Sequence, residues 1–143
     1  MIKVEHSVVI NRPVAEVFAF VTDPANEIKW QDGVVSAKVT SAGALGVGSE
    51  VAETRKFMGR DMVSKIKVST YEANKKYVFK VADGPVPFEM SQTYESTGNG
   101  TKISVAIEGE PGGFFKLAEG MVRKQLETQI AADFERAKKI LEG

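Results

Sequence analysis

Few side chains in this chain are equipped to move a proton near neutral pH. His6 is the only histidine, and imidazole is the side chain whose unperturbed titration falls in that range. It stands in the alternation Val4, His6, Val8, Ile10, on the apolar face of a strand, as a candidate base. The same spacing also describes a half-exposed strand histidine with no chemistry. Gln92 and Tyr94 follow Phe88 and Met90 on one phase of a strand whose other phase is Glu89, Ser91, Thr93 and Glu95. On an inward face they would hydrogen-bond a carbonyl or hydroxyl of a bound molecule. Glu119 and Arg123 lie one helical turn apart, both within about 60° of Leu126 at about 100° per residue. They would pair at a cavity mouth and hold a ligand's polar head, or form a surface pair worth a few tenths of a kcal/mol. Glu53 and Arg55 share a strand phase with Val51 and Phe57; the opposite phase, with Ala52, Thr54 and Met58 inward, reads equally well, and the sequence leaves that strand undecided.

Other chemistries find no residues. There is no cysteine, which excludes disulfides, thiolate metal sites and cysteine nucleophiles. No histidines pair at metal spacing, no phosphate-cradling loop precedes a helix, and no nucleophile has a credible base. Gly43 to Gly48 is glycine-rich but leads into a strand. No metal and no cofactor are expected. Nineteen basic residues balance nineteen acidic ones, so nothing predicts nucleic acid or an anionic membrane as partner. The first residues lack the basic start and apolar stretch of a signal peptide. No apolar run approaches the ~20 residues of a membrane span. The expectation is a cytoplasmic protein without stable membrane insertion, one domain over residues 1–143.

The elements that must position these residues follow from periodicity. Val4–Ile10 alternates as a strand. Asn11 is placed to cap a helix with Pro13 in its first turn and Val14, Val17, Phe18 and Val21 on one face. Asp23 before Pro24 starts a second short helix, Ala25 to Trp30. Six strands follow: Val34–Ser41, Ser49–Met58, Asp61–Glu72, the stretch of Tyr77, Phe79 and Val81, Phe88–Ser96, and Lys102–Glu108. Asn74-Lys75 marks a turn and Gly98-Asn99-Gly100 a tight hairpin. From Phe114 to Leu141 runs a long amphipathic helix whose later stripe is Val122, Leu126, Ile130, Phe134, Ala137 and Leu141. Short turns predict an antiparallel sheet, and one-sided alternation predicts that one face is covered. The predicted fold is α+β: a curved antiparallel sheet of about seven strands wrapped around a long C-terminal helix, with two short helices after strand 1.

Strand phase also names candidate walls for a pocket between sheet and helix. From the sheet come Ile66, Val68, Phe79, Val81, Phe88 and Met90 with Gln92 and Tyr94, and, if its strand turns that way, Phe57. From the short helices come Phe18 and Trp30. Along the first half of the long helix, Phe114, Leu117, Ala118, Met121 and Val122 spread over a wider arc than the later stripe, and Gln125 sits beside that arc where a dry core would prefer leucine. Met58, Met62, Met90 and Met121 suit an adaptable lining. A solid core built from the same residues is the alternative.

The stretch Ile10-Asn11-Arg12-Pro13-Val14-Ala15-Glu16-Val17-Phe18-Ala19-Phe20-Val21-Thr22-Asp23-Pro24 through Trp30, with Gly46-Val47-Gly48-Ser49 and the long C-terminal helix, resembles the SRPBCC superfamily of helix-grip proteins. That superfamily includes polyketide cyclase/dehydrase-like, START and birch-pollen-allergen-like domains, and the likeness spans essentially the whole chain. It implies a hydrophobic cavity between sheet and helix that takes a lipid-like or polycyclic ligand. Enzymes, carriers, receptors and co-chaperones share the fold. Binding or transport of a hydrophobic small molecule is therefore the leading expectation. An enzyme of polyketide cyclase, dehydratase or isomerase type and a protein-interaction module stand beside it. A buried carboxylate or histidine in the cavity would favour the enzyme.

Overall fold

The computed structural model describes residues 1–57, 59–83, 87–110 and 117–143, without the side chain of Phe57. The expected roles of Phe114, Met58 and the Phe57 side chain thus fall outside the described residues. Strand β1 (Ile2–Ile10) leads into helix α1 (Val14–Thr22), a single 3-10 turn (Pro24–Asn26) and the one-turn helix α2 (Glu27–Trp30). Strands β2 (Val34–Val39), β3 (Glu50–Phe57), β4 (Arg60–Glu72), β5 (Lys76–Val81), β6 (Phe88–Thr97) and β7 (Gly100–Gly109) follow, and helix α3 (Glu119–Glu142) ends the chain.

The strands form one sheet in the order β1-β7-β6-β5-β4-β3-β2, every neighbouring pair antiparallel. Consecutive strands from β2 to β7 are neighbours in the sheet, and only β1 reaches its partner β7 from the far end of the sequence. The β6–β7 turn shows why glycine stands where it does. Thr97 pairs with Gly100, leaving a two-residue loop in which Gly98 takes φ 65°, a conformation without penalty only for glycine. A Cβ on Gly100 would stand 2.9 Å from the Ile10 carbonyl oxygen, so that strand start tolerates no side chain. The β4–β5 turn uses Asn74 at φ 64°, asparagine being a residue that tolerates this region.

Alternation resolves into two faces. On the concave one, Val4, Ile10, Ile103, Val105, Ile107, Tyr94 and Val68 form a continuous core with Val17, Phe18, Val21 and Trp30 from the short helices. A register shift between Val68 and Thr70 turns Tyr71 back toward that core, the usual effect of a bulge.

Helix α3 divides as its apolar stripe divides. Ile130, Phe134, Ala137 and Leu141 are buried, while Val122 and Leu126 are half-buried at the edge of the core. The buried half packs on β1 and α2. It is also pinned by polar contacts at both ends of that contact. The Arg12 guanidinium donates to the Leu141 carbonyl at 2.7 Å, the Asn11 N–H to the Glu142 carboxylate at 2.8 Å, and Lys138 to the Val9 carbonyl at 2.8 Å. A cation on the last carbonyls satisfies acceptors that the helix cannot. One and a half turns earlier, Arg136 donates to the Trp30 carbonyl at 2.8 Å, and Asp133 accepts from the Asp32 N–H at 3.1 Å.

One local expectation changes and another holds. Asn11 does not cap α1; its backbone is bonded to the far end of the chain, and Pro13 occupies the cap position with no side-chain bond. Asp23 does cap as expected, accepting from the Ala25 N–H at 3.0 Å.

Candidate functional site

Beneath α2, the concave face carries a polar cluster inside apolar surroundings. Strand β3 turns Val51, Glu53 and Arg55 inward, Val51 and Glu53 being 1% and 9% exposed. That settles the phase which alternation left open. Arg55 lies over the exit of α2 with all three guanidinium nitrogens engaged: Nε donates to Glu53 Oε1 at 3.0 Å, one terminal nitrogen to the Asp32 carbonyl at 3.3 Å, and the other to Gln31 Oε1 at 2.8 Å. The third charged member is Glu27, the first residue of α2. Its Oε1 is inaccessible to water and receives no N–H of the protein.

Glu27 and Glu53 face each other carboxyl to carboxyl, near enough to share a proton. Two carboxyls meet this way only when a proton lies between them. Burial pushes Glu27 up to about 10, and the bond to Glu53 and that residue's negative charge add to the rise. Burial alone would raise Glu53 as well, but the bond donated by Glu27 and the Arg55 guanidinium together hold it below the usual carboxylate value. At neutral pH the pair carries one proton, on Glu27, and one charge, which Arg55 balances.

An aromatic row leads away from this cluster along the concave face. Tyr71 meets Tyr77 edge-on at 6.0 Å between ring centroids, Tyr77 meets Phe79 at 5.5 Å, and Phe79 meets Phe88 at 6.4 Å. Phe18 from α1 closes the near end, 5.4 Å from Tyr71 and 4.9 Å from Tyr94. Burial raises the Tyr77 phenol above its usual range, and the Glu27 carboxyl, once ionised in alkali, adds to the rise. Burial likewise raises Tyr94, so both keep their protons.

The residues expected to do chemistry are dispersed. Tyr94 donates to Gln92 Oε1 at 2.6 Å, and Gln92 Nε2 contacts Met90 Sδ at 3.4 Å; the inward phase of β6 is real, but its polar groups largely satisfy one another. His6 is half-buried on the β1 side, its ring 6.4 Å from that of Phe134, away from the carboxyl pair. The Glu119–Arg123 pair does not form: Glu119 meets the amino group of Met1 at 2.6 Å, and Arg123 reaches Glu127 at 3.9 Å.

Of the apolar candidates, Phe18, Trp30, Ile66, Val68 and Val81 are buried, and Phe79, Phe88, Met90, Ala118 and Val122 are half-buried. Leu117 and Met121 correct the expectation, being 91% and 75% exposed, and Gln125 is exposed too. The wider arc at the start of the helix looks outward because the sheet face that α3 packs on, at β1, lies beneath its later turns. Met121 and Gln125 instead border an open groove of about 520 Å³ on the outer side of α3, floored by Asp32 and Asp133. A second open hollow, about 610 Å³, lies on the convex face around Ser7, Ser91, Thr93 and Ser104. Glu27 is the residue that sequence reasoning missed. The available signal was Glu53 and Arg55 on one phase with Val51, since an inward charge needs partners from another element.

Residues 1–142 match the family described as polyketide cyclase / dehydrase and lipid transport, and the chain belongs to that family. Among curated proteins none matches it by sequence. Solved structures with the same fold include a START superfamily protein from Mycobacterium smegmatis (15% identity, TM-score 0.82, covering 99% of this chain and 98% of that one). They also include Ara h 8.0201 (15% identity, TM-score 0.77, 97% and 96%). The di-domain ARO/CYC BexL from the BE-7585A biosynthetic pathway is similar over 97% of this chain and 46% of its own length (14% identity, TM-score 0.79). At these identities the likeness establishes the helix-grip fold.

Proposed function

We propose that the protein binds a small hydrophobic molecule, lipid-like or polycyclic, on the concave face between the sheet and helix α3. One observation carries this reading: Tyr71, Phe79, Phe88 and Met90 stand half-buried on the inner face of β4 to β6, while the buried half of α3 packs on β1 and α2. Flat aromatic rings and a flexible methionine beside a small polar cluster are the usual make-up of a ligand site. Family membership supports the same reading. Native mass spectrometry of the purified protein, with titration by the neutral fluorescent probe N-phenyl-1-naphthylamine, tests it. Retained or saturable uptake is expected, weakened by Phe79→Ala; absence of uptake sinks the proposal.

The carboxyl pair favours a second reading, an enzyme of cyclase, dehydratase or isomerase type. Glu27 and Glu53 hold an acid and a base side by side. In a dehydration Glu27 would protonate a departing hydroxyl while Glu53 removed a proton from the neighbouring carbon. The C–O and C–H bonds would break, C=C would form, water would leave, and proton exchange within the pair would restore it. Turnover of a β-hydroxy ketone abolished by Glu27→Gln with probe binding intact supports this reading, and equal turnover by the variant removes the pair from it.

A further inference from the structure

The polar cluster, taken with the ligand-binding reading above, also says which ligands it admits. Glu53, Gln31 and the Asp32 carbonyl each take one N–H of Arg55, one from each guanidinium nitrogen, and Glu53 balances its charge. Glu27 shares its proton with Glu53, and its Oε1 is buried with no protein N–H reaching it. One helical turn along α2, Trp30 is 2% exposed, and its indole N–H has no acceptor. One short helix therefore leaves one buried acceptor and one buried donor unpaired, each costly to bury alone. The charged and titratable groups that bear on the pair are Asp23 before α2, Arg55 on β3, Tyr71 on β4 and Tyr77 on β5. With Arg55 cancelling Glu53 and the Tyr77 phenol protonated, none of them provides a free positive charge.

We infer that the site selects neutral apolar molecules bearing a hydroxyl group, with Glu27 accepting from the hydroxyl and Trp30 donating to it, and that it rejects carboxylates of the same skeleton. A hydroxyl both donates and accepts, and so answers both unpaired groups. A bare hydrocarbon answers neither. A carboxylate brings a charge that nothing here neutralises, set against a lone acceptor.

Competition for bound N-phenyl-1-naphthylamine at about pH 8, using naphthalene, 2-naphthol and 2-naphthoate, separates the cases. The expected order puts 2-naphthol about tenfold ahead of naphthalene, the worth of one good hydrogen bond, with 2-naphthoate weakest. In Glu27→Leu the advantage of naphthol over naphthalene should shrink to about twofold or less while the probe still binds. Trp30→Phe, which keeps the ring packing, should reduce it in the same direction. Naphthoate competing as well as naphthol, or an advantage undiminished in both variants, overturns the inference and leaves the ligand-binding reading standing. A wild-type protein that takes up no probe overturns both. Should Glu27→Leu fail to fold, infrared spectra of the wild type and Glu27→Gln decide the protonation on which the selectivity rests. The carbonyl stretch of a protonated acid, present in the wild type near pH 8 and absent in the variant, supports it; its absence from both overturns it.

Discussion

The shared proton between Glu27 and Glu53 should be visible as an unusual dependence of stability on pH. Glu27 is held protonated in the folded chain up to about 10, against 4.5 for an unperturbed carboxyl. Its folded-state value is raised, so its contribution to stability is complete below the unfolded value and is lost as pH climbs toward the folded one. Over that interval the unfolded chain ionises Glu27 and the native chain does not. Each pH unit then removes at most about 1.4 kcal/mol, or about 3 kcal/mol between pH 5.5 and 8. Other perturbed groups act outside this window: Glu53 is depressed and its contribution is lost only as pH falls below 4.5, and Tyr77 is raised from 10 and bears only on more alkaline solutions. Asp133 is raised from 3.8 by burial, opposed by the Asp32 N–H and by Arg55 and Arg136, and the Glu27 variant keeps it as a common term. Urea unfolding followed by the fluorescence of Trp30, the single tryptophan, gives the profile. The wild type should lose stability from pH 5.5 to 8, and Glu27→Gln, which cannot ionise, should lose far less, the gap widening steadily with pH. Parallel profiles would refute the shared proton.

Three other substitutions test the surrounding account. Arg55→Met leaves Glu53 without its cation and should cost about 2–3 kcal/mol in urea unfolding; a loss below about 0.5 kcal/mol would mean that the pair is solvated. Phe134→Ala opens a cavity where α3 meets Trp30, the two rings being 5.0 Å apart, and should cost about 3–5 kcal/mol, measured in the same way. Leu117→Gln and Met121→Gln should each change stability by less than about 0.5 kcal/mol and leave probe affinity unaltered in fluorescence titrations. Weakened probe binding in either would restore the start of α3 as a ligand wall.

Alternation carried the sheet because most strands obey a simple rule, apolar inward and polar outward, as in Val4 to Ile10 and Phe88 to Tyr94. The long stripe from Ile130 to Leu141 was equally plain, since each of those residues finds sheet or short helix beneath it. The rule fails where function or geometry departs from it. On β3 the inward residues Glu53 and Arg55 are more polar than the outward Ala52 and Thr54 beside them, so hydrophobicity alone points the wrong way. Glu27 sits in a one-turn helix, too short for a period to show which way a residue faces, and its sequence neighbours Ile28 and Lys29 are both exposed. Leu117 and Met121 extend the helical pattern past the contact on β1, a limit written in the tertiary structure and not in local spacing.

Chemical-shift mapping reports whether a hydrophobic molecule lies on the concave face. With aromatic and methyl groups isotope-labelled, titration with N-phenyl-1-naphthylamine should shift Tyr71, Tyr77, Phe79, Phe88 and Met90, leaving Met121 and Ala132 on the outer groove unmoved. Shifts confined to that outer groove, or no shifts at all, would contradict the claim.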